Sequence, residues 1–434
     1  MVLNYIFIGF FVIGFIVAII RIIGYYFRDF FETNFGWIFT EADLNVFSDM
    51  VGATFSMAET SISIVLYLMG VMTLWLGFMR IGEDGGAVQK LSKWVAPFFR
   101  KLFPDIPANH PVNGSIMMNF AANMLGLDNS ATPMGLKAMT GLQELNQNKD
   151  TASNAMIMFL VLNTSGLTII PISVMAYRAQ AGAENPTDVF IPILLATYCA
   201  TLVGLITVAF HQKINLLKNG IAGYLLVITG IIMASVFGLM NLPKEQLEVV
   251  TSVGGNFILL SIIISFFVLA FKNKVNVYES FIEGAKDGFK TTISIIPYLV
   301  GMLVAIGVFR ASGTMDILID GLGYVIGLSG INTDFVPALP TALMKPLSGT
   351  GARGMMLETY KYYDDLNLGY EGADHFVSKM ASIFQGSTET TFYTIAVYYG
   401  AVNIKKTRYT VQAGLLADLG GIIAAITVGY IFFH

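Results

Sequence analysis

Seven stretches of this chain, at about 3–27, 61–81, 188–210, 219–241, 253–271, 291–310 and 411–433, each run for some twenty residues with almost no charge. A helix of about 20 apolar residues matches the hydrocarbon layer of a bilayer, and a soluble core of ordinary size cannot absorb seven such runs. The composition agrees: 55% of the 434 residues are hydrophobic and 12% are charged, with mean hydropathy +0.67, against about a quarter charged in soluble domains. The first run is longer than a signal-peptide core and lacks a small-residue cleavage site, so it reads as a retained span. A net charge of −4 leaves no basic footprint for nucleic acid. One cysteine, Cys199, provides no disulfide framework, and four scattered histidines offer no metal-ligand spacing. No cofactor is expected.

Two further stretches, 154–178 and 378–402, are long enough to cross but are polar at their centres. The first carries Asn163-Thr164-Ser165-Gly166 and the second Gln385-Gly386-Ser387-Thr388-Glu389-Thr390-Thr391. Two more, about 111–143 and 333–357, are apolar but interrupted by Gly, Pro, Asn and Ser, the pattern of re-entrant hairpins. The expected fold is an all-α membrane protein of about nine transmembrane helices plus two re-entrant hairpins. With a cytoplasmic N-terminus, sixteen Lys and Arg fall on inside loops and seven outside, which favours N-inside and C-outside. The segments 87–103 and 277–290 alternate as surface helices lying on the membrane do.

The chain repeats itself. Ile62-Ser63-Ile64 with Tyr67-Leu68-x-Gly70 recurs as Ile293-Ser294-Ile295 with Tyr298-Leu299-x-Gly301, an offset of 231 residues, and the hairpins and polar breaks follow in the same order. The expected organisation is an N-terminal span and external segment (1–58), a first repeat (59–211), two linking spans (212–289) and a second repeat (290–434). An odd number of crossings separates the repeat starts, so the repeats are inverted. Such repeats place solute sites where discontinuous helices meet.

Non-helical backbone at membrane depth survives only when buried in protein or facing water. The candidate solute-binding residues are therefore Asn119, Asn123, Asn129, Ser130 and Thr132 in the first hairpin and Asn163, Thr164 and Ser165 in the first break. In the second half they are Lys345, Ser348, Gly349, Thr350 and Arg353 in the hairpin and Ser387, Thr388 and Glu389 in the break. Lys345, Arg353 and the N–H groups of Gly349-x-Gly351 are suited to an anion. The competing reading is that hydroxyls and amides glue hairpin to span while Gly permits close packing. Glu389 has three readings: an ion pair with Lys345 or Arg353, which we favour, a ligand for a cationic solute, or a proton carrier. Asp418, beside Gly420 and Gly421, reads as a helix–helix contact. No nucleophile has a histidine in its cluster and no phosphate-binding loop is present, so the chain does not read as an enzyme.

The stretches Leu74-Trp-Leu-Gly-Phe-Met-Arg-Ile81, Met118-Asn-Phe-Ala-Ala-Asn-Met-Leu-Gly-Leu-Asp-Asn-Ser-Ala-Thr-Pro-Met-Gly-Leu-Lys-Ala-Met139 and Lys149-Asp-Thr-Ala-Ser-Asn-Ala-Met156 resemble the spore maturation A proteins. Phe309-Arg-Ala-Ser-Gly313, Leu343-Met-Lys-Pro-Leu-Ser-Gly-Thr-Gly-Ala352 and Gly386-Ser-Thr-Glu-Thr-Thr-Phe-Tyr393 resemble the spore maturation B proteins. The chain is similar to a fusion of the two, within the nucleoside-recognition (Gate) superfamily. That resemblance implies a plasma-membrane protein built from paired Gate units, a transporter or channel, and supplies no substrate. Joined to the inversion and the polar clusters, it gives an expected pair of inverted Gate-type repeats forming a transporter or channel for a small polar, anionic or nucleoside-like solute. It also implies a link to spore maturation. It departs at Lys345, where Arg is expected, and at Arg353, where an apolar residue is expected. The alternative is a non-transporting scaffold for envelope or spore-maturation complexes. The partners implied are the lipid bilayer and a small-molecule solute, with a homo-oligomer left open and no nucleic acid.

Overall fold

The computed structural model describes residues 2–126, 128–166, 168–216, 221–240, 244–366, 369 and 371–434. Those residues are all-helical apart from turns, short 3-10 segments and one isolated bridge between Thr151 and Lys406. Helices α1 (Val2–Tyr26) and α2 (Arg28–Phe35) lead into a first series of seven. It comprises α3 (Val46–Asp84), α4 (Ala87–Phe99), α5 (Val112–Met124), α6 (Asp128–Leu145), α7 (Asn154–Thr164), α8 (Ile172–Gln180) and α9 (Phe190–Gln212). Two linking helices follow, α10 (Ile221–Met240) and α11 (Lys244–Lys272). A second series of seven then runs in the same order: α12 (Val277–Ala311), α13 (Thr314–Gly327), α14 (Leu339–Met344), α15 (Gly349–Asp365), α16 (Phe376–Ser387), α17 (Thr391–Ala401) and α18 (Thr410–Phe433).

Six helical stretches among the described residues are long and apolar enough to cross a membrane: 4–26, 41–84, 190–212, 253–272, 277–311 and 410–433. The two stretches with polar centres are each divided into short helices, α7 with α8 and α16 with α17. Each hairpin stretch is likewise two helices, α5 with α6 and α14 with α15. The outer face of the protein is apolar. Phe15, Ile16, Leu226, Val227, Phe257 and Leu260 on α1, α10 and α11 are all exposed, as lipid-facing helices require.

One expectation fails. Residues 277–290 do not form a separate surface helix but the first four turns of α12, which continues to Ala311. The reason is a seam of small residues. Ser280, Gly284, Gly288 and Thr292 recur every fourth residue and are buried, and such a ridge lets two helices approach closely. A β-carbon at Gly288 would stand 2.7 Å from the Met72 carbonyl oxygen and 2.8 Å from Thr73 Cα on α3. By contrast Trp94 on α4 is 82% exposed, in keeping with an interfacial helix.

The corresponding long helices pack on one another and run antiparallel. Gly77 lies against Phe281, Gly288 against Met72 and Gly307 against Met57, so α3 descends as α12 ascends. In the same way Gly204 lies against Ala417, Gly420 against Val203 and Gly421 against Ala200, which sets α9 antiparallel to α18. Between these pairs sit the broken helices. Every residue of α7 from Ala155 to Thr164 is buried, as is most of α16.

Candidate functional site

The break in α7–α8 begins at Gly166, whose φ is +61°. A left-handed backbone there favours glycine, and space forbids anything larger, since a β-carbon would lie 2.9 Å from the Glu389 nitrogen. This permits the two breaks to touch. The Glu389 N–H donates to the Thr164 carbonyl at 2.8 Å. Each break is also tied to its own hairpin by a matching bond. Ile169 N–H donates to Met124 C=O at 2.7 Å in the first half, and Phe392 N–H donates to Pro346 C=O at 3.0 Å in the second. Backbone groups released by interrupting the helices thus find partners in one another, which meets the demand that buried N–H and C=O be paired.

Side chains repeat the pattern. Asn123 Nδ2 donates to Asn163 Oδ1 at 2.7 Å, joining the first hairpin to the first break. Gln385 Nε2, from the second break, reaches the Gly349 carbonyl of the second hairpin at 3.5 Å. Ser348 starts α15 as its N-cap, its Oγ accepting from Gly351 N–H at 3.0 Å. Asp418, 2% exposed, accepts from Thr391 Oγ1 at 2.7 Å and so joins α18 to α17.

Beside the crossing lies a cavity of about 170 Å³. The first half contributes Asn123, Gly126, Gly166 and Thr168, and the second contributes Lys345, Gly349, Arg353, Gln385, Thr388, Glu389 and Thr390. Trp75 of α3 and Thr291 of α12 complete the wall. The N-terminal ends of α8, α15 and α17 line it through Pro171, Gly349 and Thr390. Helix N-termini and two cations bias the cavity towards negative charge in a solute. Glu389 supplies the opposite sign.

Of the candidate residues, Asn123, Lys345, Gly349, Arg353, Thr388 and Glu389 line this cavity. Asn119 is wholly buried and donates to the Ala131 carbonyl at 2.8 Å. Asn163 donates to the Phe159 carbonyl at 2.8 Å. Thr164, Ser165 and Ser387 are buried and donate back to their own helices, at Val161, Leu162 and Phe384. Thr350 faces a different cleft, with Tyr298 and Met302, and Thr132 is exposed on α6 away from the cavity. The side chains of Asn129 and Ser130 lie outside those described.

The favoured ion pair of Glu389 is corrected. Among the described residues Glu389 makes no salt bridge with Lys345 or Arg353. Its backbone is fixed by the bond to Thr164 while its side chain is exposed, between buried Thr388 and Thr390. The Arg353 guanidinium instead lies over the Tyr177 ring, 5.2 Å from its centroid.

Sequence reasoning passes over two features. Gln385 lines the cavity although only 5% exposed. Arg178, at the end of the 154–178 stretch, is fully buried. Its Nη2 lies 3.0 Å from both Asp188 and Asp374, its Nη1 donates to the Ala373 carbonyl at 2.6 Å, and Lys379 reaches Asp188 at 2.9 Å. The available sign was Lys379, a lone cation within an apolar stretch. At the other end of the broken helices the matching brace, Lys406 on Asp150 with Arg408 on the Ala152 carbonyl, is exposed.

Comparison with known proteins fits this geometry. The profile of a family described as "Gate: Nucleoside recognition" matches residues 65–181 and 292–405, the two segments that hold hairpins and breaks. Spore maturation protein B of Bacillus subtilis is 47% identical over 160 residues, 37% of this chain and 84% of that protein. Spore maturation protein A of the same organism is 46% identical over 149 residues, 34% of this chain and 76% of that protein.

Proposed function

This chain belongs to the Gate family of nucleoside-recognition proteins, and on that premise we propose that it is a plasma-membrane transporter for a small polar solute. The observation that carries the proposal is the meeting of two interrupted helices, one from each half, at Thr164 and Glu389 on the wall of a shared cavity. Discontinuous helices crossing beside a polar cavity are how inverted-repeat carriers hold a solute at mid-membrane. Nine crossings with two re-entrant hairpins, N-terminus inside and C-terminus outside, is the topology we adopt. The antiparallel packing of α3 on α12 and of α9 on α18 supports inversion of the halves.

In this reading Asn123, Lys345, Gly349, Arg353, Thr388 and Glu389 contact the solute. Asn119, Asn163, Thr164, Ser165, Ser348 and Ser387 hold the broken backbone in place. A role in spore maturation, after the names of the relatives, belongs to the same proposal. A non-transporting scaffold leaves the shared cavity without a purpose.

Single cysteines in a Cys199→Ser background test the cavity in proteoliposomes. Thr168→Cys and Ser173→Cys, on its wall, are expected to react with a charged, water-soluble thiol reagent far faster than Ser165→Cys and Ser387→Cys. Equal, negligible reaction at all four positions would overturn the proposal.

A further inference from the structure

We infer that the solute is a compact zwitterion of the amino-acid class, bound with its carboxylate on Arg353 and its ammonium on Glu389. The inference rests on the transporter reading above and names its substrate class. A guanidinium and a carboxylate share one cavity of about 170 Å³ and yet, among the described residues, do not pair with each other. The Arg353 guanidinium lies over the Tyr177 ring and the Glu389 side chain is exposed, so neither charge is neutralised by the other. Held apart, they suit a ligand that carries both charges.

The uncommitted hydrogen-bonding atoms agree in kind. Arg353 Nε, a donor, is buried with no partner, and so is Gln385 Oε1, an acceptor. Leaving such atoms unpaired is costly unless something arrives to satisfy them. The repeat supplies an internal comparison. Asn163, the amide of the first break, is engaged on both sides, accepting from Asn123 and donating to Phe159. Among the described residues that line the cavity, the buried side-chain atoms without a partner are Arg353 Nε and Gln385 Oε1, both from the second half. The start of α15, at Gly349, adds N–H groups and the positive end of a seventeen-residue helix beside Arg353. The cavity is below the ~300–1,000 Å³ of pockets that take drug-sized ligands, which favours a small molecule over a nucleoside.

Calorimetric titration of the full chain in detergent would use each of the twenty common amino acids, with lactate, ethanolamine and uridine as probes lacking one charge or both. At least one small amino acid is expected to bind ten-fold or more tightly than lactate or ethanolamine. Glu389→Gln is expected to reduce its affinity to that of lactate while leaving lactate unchanged, and Arg353→Gln to reduce both. Binding of uridine or lactate as tight as that of every amino acid would overturn the zwitterion, as would no binding by any probe. If Thr168→Cys still reacts in either case, the solute cavity stands and only the substrate class falls. If it does not react, the transporter reading falls as well.

Discussion

Arg178 makes the most demanding test of how the two halves are held together. Its guanidinium is wholly buried and is shared by Asp188 and Asp374, each at 3.0 Å, and by the Ala373 carbonyl at 2.6 Å. It thus ties the end of α8 to the segment that precedes α16. Arg178→Met keeps much of the side-chain volume and removes the charge and every donor. Asp188 retains Lys379 at 2.9 Å and, among the described residues, Asp374 retains the Glu184 N–H at 2.8 Å. Breaking a buried ion network by deleting one partner costs about 3–5 kcal/mol, mostly as the penalty on charges left behind. That lowers the folded-to-unfolded ratio by roughly two to three and a half orders of magnitude. Arg178→Met/Asp374→Asn is expected to recover part of the loss, because one stranded charge is gone. The matching exposed brace is the control. Lys406 and Asp150 are 3.5 Å apart with side chains 71% and 53% exposed, so Lys406→Met is expected to cost at most about 1 kcal/mol. Unfolding by SDS titration, followed by tryptophan fluorescence, reads all three variants. Arg178→Met as stable as the wild type, or Lys406→Met equally damaging, would refute the argument from burial.

Gly288→Leu is expected to abolish accumulation of folded protein, because α12 cannot leave α3 by the width of a side chain. Gly70→Ala, with nothing within 4 Å of the new carbon, is expected to behave as the wild type; size-exclusion profiles of the two distinguish them. Glu389→Gln is expected to fold and melt as the wild type does, since no ion pair is lost, and a strongly destabilised Glu389→Gln would restore the ion-pair reading. For topology, Asn34→Cys, Asn185→Cys and Glu371→Cys are expected to label from outside intact cells. Lys90→Cys, Lys213→Cys and Lys406→Cys should label only after permeabilisation, and an inward label at Glu371 would remove the inverted repeat.

The sequence by itself determined the class of fold and where its irregularities lie. Uninterrupted apolar runs can only be buried in lipid or in one another, and Asn, Gly, Pro and hydroxyl residues inside such runs release backbone bonds wherever they fall. The division of these four stretches into shorter helices was legible for that reason, as was the two-fold repetition that the two matched segments bear out. What the tertiary structure alone decided is which polar groups at a break are spent and which are free to meet a solute. Thr164, Ser165 and Ser387 turn back onto carbonyls of their own helices, whereas Thr388 and Glu389, one and two residues further on, line the cavity. Residues of the same chemistry a position apart face different ways because helix phase at the crossing sets their direction, and no local pattern encodes that phase. The same limit hid Arg178, whose two carboxylates lie 10 and 196 residues away in sequence, and disguised 277–290, where a seam of small residues reads as a surface helix until α3 is laid against it. Charges were visible one by one; their pairing depended on which helices the packed fold brought together.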